Sequence, residues 1–136
     1  MTKLLDVLII DDEEIVCKRL KPAIEKMGCQ VETFQSPVAA LERIAEKSFD
    51  VVVTDVRMDD IDGIQVLERT QQACATTKVI IMTGYAMMAL AREAMQKGAF
   101  DFISKPFRPD DLRRVIYRAA TELGIKLDYE LPAEDA

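Results

Sequence analysis

Val51-Val52-Val53-Thr54-Asp55 is a short run of β-branched residues that ends abruptly in a carboxylate. Valine loses least in the extended backbone, and a run without polar alternation is expected where both faces of a strand are covered. Two further runs behave alike: Val7–Ile10 stops at Asp11-Asp12, and Lys78–Met82 stops at Thr83. Gln30–Phe34 and Phe100–Ile103 complete a set of five strand candidates.

The intervening stretches are amphipathic and read as helices, near Glu13–Met27, Pro37–Lys47, Ile64–Ala73, Met87–Lys97 and Pro109–Leu123. Their ends carry helix punctuation. Ser36-Pro37 offers an N-cap followed by proline in the first turn, and Gly28, Gly98 and Gly124 stand where a helix end accepts a left-handed residue. Pro22 lies inside the first helix, where it removes one hydrogen bond and predicts a kink. Strict β/α alternation predicts an α/β fold, a doubly wound five-stranded parallel sheet of the flavodoxin-like (βα)5 kind with strand order 2-1-3-4-5. The 136 residues suit one domain, read as 1–124, followed by an acidic tail, 125–136.

Right-handed crossovers carry the carboxyl ends of all parallel strands to one edge of the sheet. Asp11, Asp12, Asp55, Thr83 and Lys105 all fall at that edge, where open α/β sheets bind ligands. Any one of these acids could be a helix cap; three converging acids are harder to explain that way. Carboxylates so gathered repel one another unless a cation sits among them. Oxygen donors without histidine or cysteine suit Mg2+, with the carbonyl of Arg57 as a further oxygen; Ca2+ is also oxygen-seeking, but EF-hand spacing is missing. Lys105, held before Pro106, and the hydroxyl of Thr83 suit the oxygens of a phosphoryl group. The chemistry that fits is attack by the Asp55 carboxylate on phosphorus, with Asp11 and Asp12 as metal ligands.

The bulk properties narrow the alternatives. A net charge of −6 disfavours direct nucleic-acid binding. The longest apolar runs fall well short of the ~18–20 residues of a membrane span, and Met1–Asp6 lacks the apolar stretch of a signal peptide, so a cytoplasmic location is expected. Three scattered cysteines without histidine read as reduced structural thiols. The same absence of histidine means that any phosphohistidine must belong to a partner.

In four blocks the chain resembles the response-regulator receiver family: Ile9-Ile10-Asp11-Asp12-Glu13, Val53-Thr54-Asp55-Val56-Arg57-Met58, Ile81-Met82-Thr83-Gly84-Tyr85-Ala86 and Phe102-Ile103-Ser104-Lys105-Pro106-Phe107. The resemblance implies that Asp55 accepts phosphoryl from a sensor histidine kinase or a phosphotransfer protein. It implies that Asp12, Asp55 and the Arg57 carbonyl hold Mg2+ with Asp11 assisting, and that Lys105 grips the phosphoryl group. Thr83 would move toward the phosphate, and Phe102 would swing inward as an aromatic switch. The output would be the face formed by the fourth helix, Met87–Lys97, the fifth strand, Phe100–Ile103, and the fifth helix, Pro109–Leu123, reading to a downstream effector or a second copy. Asp59 stands where the family often has proline, and the bulky Arg57 and Tyr85 would prolong the phosphorylated state. An aspartate-nucleophile phosphatase, a flavin-binding redox module and a receiver kept only as a scaffold are alternatives. The first lacks a second acid two residues after Asp55, the second a phosphate loop; the complete acidic set argues against the third.

Overall fold

The computed structural model describes residues 4–56, 61–84 and 87–131. Five strands, β1 (Leu5–Ile10), β2 (Cys29–Phe34), β3 (Val51–Asp55), β4 (Lys78–Thr83) and β5 (Asp101–Ser104), alternate with helices α1 (Glu14–Glu25), α2 (Pro37–Glu46), α3 (Gly63–Ala73), α4 (Met88–Gln96) and α5 (Pro109–Glu122). The strands form one parallel sheet in the order β2-β1-β3-β4-β5, the order expected.

The sheet is buried on both faces, as its continuous apolar runs require. Successive side chains of a strand point to opposite faces, and the core divides accordingly. Val7, Ile9, Val51, Val53, Ile80 and Met82 pack with Ile24, Leu112 and Ile116 of α1 and α5. Leu8, Ile10, Val52, Val79 and Ile81 pack with Ala40, Ile44, Leu67 and Ala94 of α2, α3 and α4.

Helix punctuation explains the boundaries. The Ser36 hydroxyl accepts the Ala39 amide at 3.2 Å, and Pro37 opens α2. Gly28, Gly98 and Gly124 all take positive φ, at 84°, 106° and 74°. α1 runs through Pro22 to Glu25. After α5 the chain turns back, with the Ile125 amide donating to the Ala120 carbonyl at 2.9 Å, and Leu127 is buried in the α1/α5 side of the core. No described helix is long and apolar enough to cross a membrane.

At the far end of α4 the Gln71 amide donates to the Lys97 carbonyl at 3.0 Å, and Lys97 pairs with Glu68 at 3.0 Å, both from α3. At its start, beside the end of β4, no side chain caps it.

α3 begins against the end of β3. A Cβ on Gly63 would lie 2.8 Å from both the Asp55 carbonyl oxygen and Val56 Cα, backbone atoms that cannot swing aside. Gly63→Ala is therefore expected to lower stability by about 1–3 kcal/mol in urea denaturation, whereas Gly84→Ala, where an added methyl meets nothing within 4 Å, should leave the midpoint near that of the parent on this count.

The three cysteines are free thiols, two of them buried. Burial pushes Cys29 up to about 12. Cys74 is partly exposed, and hydrogen bonding, chiefly with the Thr76 hydroxyl 3.3 Å away, lowers it to about 7. Since the thiolate is the reactive form, iodoacetamide should modify Cys74 first, with a rate rising through pH 7 and reaching a plateau above it. Mass spectrometry showing Cys17 or Cys29 labelled first would contradict this.

Candidate acidic site at the carboxyl edge of the sheet

β1 and β3 are neighbours, with Ile10 opposite Thr54, so the residues just beyond those positions meet at the carboxyl edge. Asp11, Asp12 and Asp55 each bring a carboxylate oxygen within 4.8 Å of the other two. Their surroundings differ. Asp11 is wholly buried, Asp55 half-buried and Asp12 exposed at the rim.

Lys105 enters from the loop after β5. Its amide donates to the Thr83 carbonyl at 2.7 Å, and the peptide joining it to Pro106 is cis. Its ammonium donates to Asp11 Oδ2 at 2.7 Å and to Asp55 Oδ2 at 3.1 Å. Burial by itself would lower the lysine's pKa, but the hydrogen bond to Asp11 and the charge of Asp55 together outweigh it and leave Lys105 above its ordinary range. It is a permanent cation at neutral pH.

Asp11 is not the cap of α1, whose N-cap position is Glu13 and which has no side-chain cap bond. Its Oδ1 accepts the Glu13 amide at 2.9 Å, steadying the entry to α1, while Oδ2 faces Lys105. Asp62, in the loop before α3, is a helix cap outright: its carboxylate accepts the Gln65 amide, and the Gln65 side-chain oxygen accepts the Asp62 amide.

Thr83 ends β4, fully buried, with its hydroxyl turned to the Gly84 carbonyl at 3.0 Å. Phe102 lies in β5, partly exposed, and packs against the α2/α3/α4 side of the core. Arg57, Met58, Asp59 and Tyr85, assigned a metal-binding carbonyl, a loop departure and the phosphate flank, lie outside the described residues.

Two features escaped the sequence reading. Thr54 is completely buried one residue before Asp55 and donates to the Asp55 carbonyl at 3.0 Å; its signal was a lone polar residue closing an apolar strand. Ile15, 73% exposed on the first turn of α1, stands near the acidic rim. Beside it Val16, Leu20, Pro106 and Phe107 line an apolar groove that reaches Lys105.

Three carboxylates and one ammonium leave a formal charge of −2, and every donor is a hard oxygen. That set fits a divalent cation of the magnesium class. The half-buried acid held 3.1 Å from an ammonium suits nucleophilic transfer of an anionic group.

Comparison with known proteins identifies the family of the chain. The regulatory protein AtoC of Escherichia coli (strain K12) is 38% identical over 119 residues, covering 88% of this chain and 26% of AtoC. The transcriptional regulatory protein FixJ of Bradyrhizobium diazoefficiens is 35% identical over 129 residues, 95% of this chain and 63% of FixJ. The chain thus spans only part of these regulators. A crystal structure of a response regulator receiver domain protein from Clostridium thermocellum superposes with a TM-score of 0.84 at 32% identity, over 89% of this chain and 98% of that one. The family model for the response regulator receiver domain matches residues 7–117. On its strand order, its carboxyl-edge acids and that match, the chain belongs to the response regulator receiver domain family.

Proposed function

We propose that this chain is a phosphorylation-activated switch of a two-component phosphorelay. Asp55 accepts a phosphoryl group from a phosphohistidine on a sensor histidine kinase or phosphotransfer protein, and the change is relayed through α4, β5 and α5 to a downstream effector. The observation that carries the reading is the Asp55 carboxylate, half-buried at a strand end, 3.1 Å from the Lys105 ammonium and grouped with two further carboxylates.

An Asp55 carboxylate oxygen forms the new bond to phosphorus as the donor's P–N bond breaks, and the imidazole nitrogen keeps the electron pair. Asp12 and Asp55, with the Arg57 carbonyl, would hold Mg2+, and Asp11 would assist. When bound, Mg2+ offsets negative charge on the transferred oxygens. Lys105 orients Asp55 beforehand and afterwards balances the acyl phosphate. Thr83 would exchange its bond to the Gly84 carbonyl for one to the phosphoryl group, opening room for Phe102. Such a change selects between two pre-existing states.

The apolar groove beside Lys105 and the exposed Ile15 support a protein donor, since a partner reaching Asp55 must pass over this edge. The receiver unit is taken as residues 1–124 and the rest as an acidic tail, of which Leu127 folds onto the core. The greater length of AtoC and FixJ supports a place within a larger transcription regulator.

Incubation with acetyl phosphate and Mg2+, followed by a phosphate-affinity gel, tests the reading. A single retarded band is expected. It should vanish with EDTA, with hydroxylamine and in Asp55→Asn. A wild-type protein that stays unmodified, or a band that persists in Asp55→Asn, would overturn it.

A further inference from the structure

The proposed reaction needs Asp55 aimed at its partners before any donor arrives, and the Asp55–Val56 peptide is held from several sides. On one side its amide, that of Val56, donates to the Met82 carbonyl of β4 at 2.9 Å. On the other its carbonyl, that of Asp55, accepts the Thr54 hydroxyl at 3.0 Å. The backbone of Gly63 closes over the same unit, so near that a methyl there would stand 2.8 Å from the Asp55 oxygen. The next carbonyl, of Val56, accepts the Gly63 amide at 2.8 Å. A peptide plane tied at both its oxygen and its nitrogen cannot rotate, and the Cα–Cβ direction of Asp55 is fixed with it.

We infer that Thr54 is a positioning residue for phosphoryl transfer: its buried hydroxyl locks the Asp55–Val56 peptide and so aims the Asp55 carboxylate. The inference rests on the reading of Asp55 as phosphoacceptor. Thr54 touches neither donor nor metal; it acts through the backbone of Asp55. Thr83, at the corresponding end of β4, makes the same hydroxyl-to-next-carbonyl contact, to Gly84. There is a difference between them. The peptide after Thr54 is also overlaid by Gly63, whereas a methyl on Gly84 would meet nothing within 4 Å. The first threonine is built into a closed clamp.

Thr54→Val keeps the shape and β-branching and removes only the hydroxyl; Thr54→Ser keeps the hydroxyl and removes the methyl. If Thr54 merely filled space, valine would be harmless and serine harmful. The clamp demands the reverse. With acetyl phosphate and Mg2+, Thr54→Val should be phosphorylated about tenfold more slowly, the scale of one net hydrogen bond, and Thr54→Ser within about twofold of wild type. The second measurement uses no donor: amide hydrogen exchange at Val56, read by NMR in the metal-free protein, should quicken several-fold in Thr54→Val and recover in Thr54→Ser. Equal phosphorylation rates and equal Val56 exchange in wild type and Thr54→Val would overturn the inference, as would the space-filling order. If the wild type accepted no phosphoryl at all, the reading of Asp55 would fall, and the exchange data alone would still decide whether the clamp exists.

Discussion

Repulsion among three carboxylates is the constraint around which this fold is arranged. Asp11, Asp12 and Asp55 are brought together because β1 and β3 are adjacent and in register. In water, unit charges some 4 Å apart interact by only about 1 kcal/mol, but the strength rises several-fold where a protein lowers the effective dielectric. Asp11 lies wholly out of solvent, so it feels this most. The Lys105 ammonium offsets part of the strain, and it can do so because the loop after β5 is tied back to β4 by the Thr83 carbonyl. Adjacent strands, a lysine from a distant loop and a buried acid are therefore one electrostatic unit.

Each acid stands at the tip of a strand whose side chains are packed on both faces, so the carboxylates cannot relieve their repulsion by drifting apart. Asp11 gives one oxygen to the start of α1 and the other to Lys105, which couples helix entry to charge balance. Gly63 is the point where sterics and electrostatics meet: only a residue without a side chain lets α3 start against the backbone that bears Asp55.

Much of this was legible in the residues. Alternating apolar runs and capped helices fixed all five strands and five helices to within two residues at most boundaries, because period, N-caps and C-terminal glycines are local properties. Asp11, Asp12, Asp55 and Lys105 lie together because parallel topology sends every strand end to one edge. What stayed hidden depends on backbone approach or on residues that only the folded chain juxtaposes. The Thr54 hydroxyl bond, the closeness of Gly63 to Asp55 and the shared use of Asp11 have no periodic signal. Leu127 lies in a stretch whose acids masked one buried leucine. Cys74 looked like its two buried counterparts, and only its threonine neighbours set it apart.

The fastening of α4 to α3 has a mechanical meaning. Its far end is pinned there by Gln71 and by the pair Glu68–Lys97. A rod hinged at one end converts a small sideways nudge at the other into a tilt, and the exposed residues along its length sweep through distances that grow with their separation from the pivot. On the proposed reading, a shift of the Thr83 hydroxyl at the tip of β4 would in this way be geared up to the scale of a surface that another macromolecule can feel.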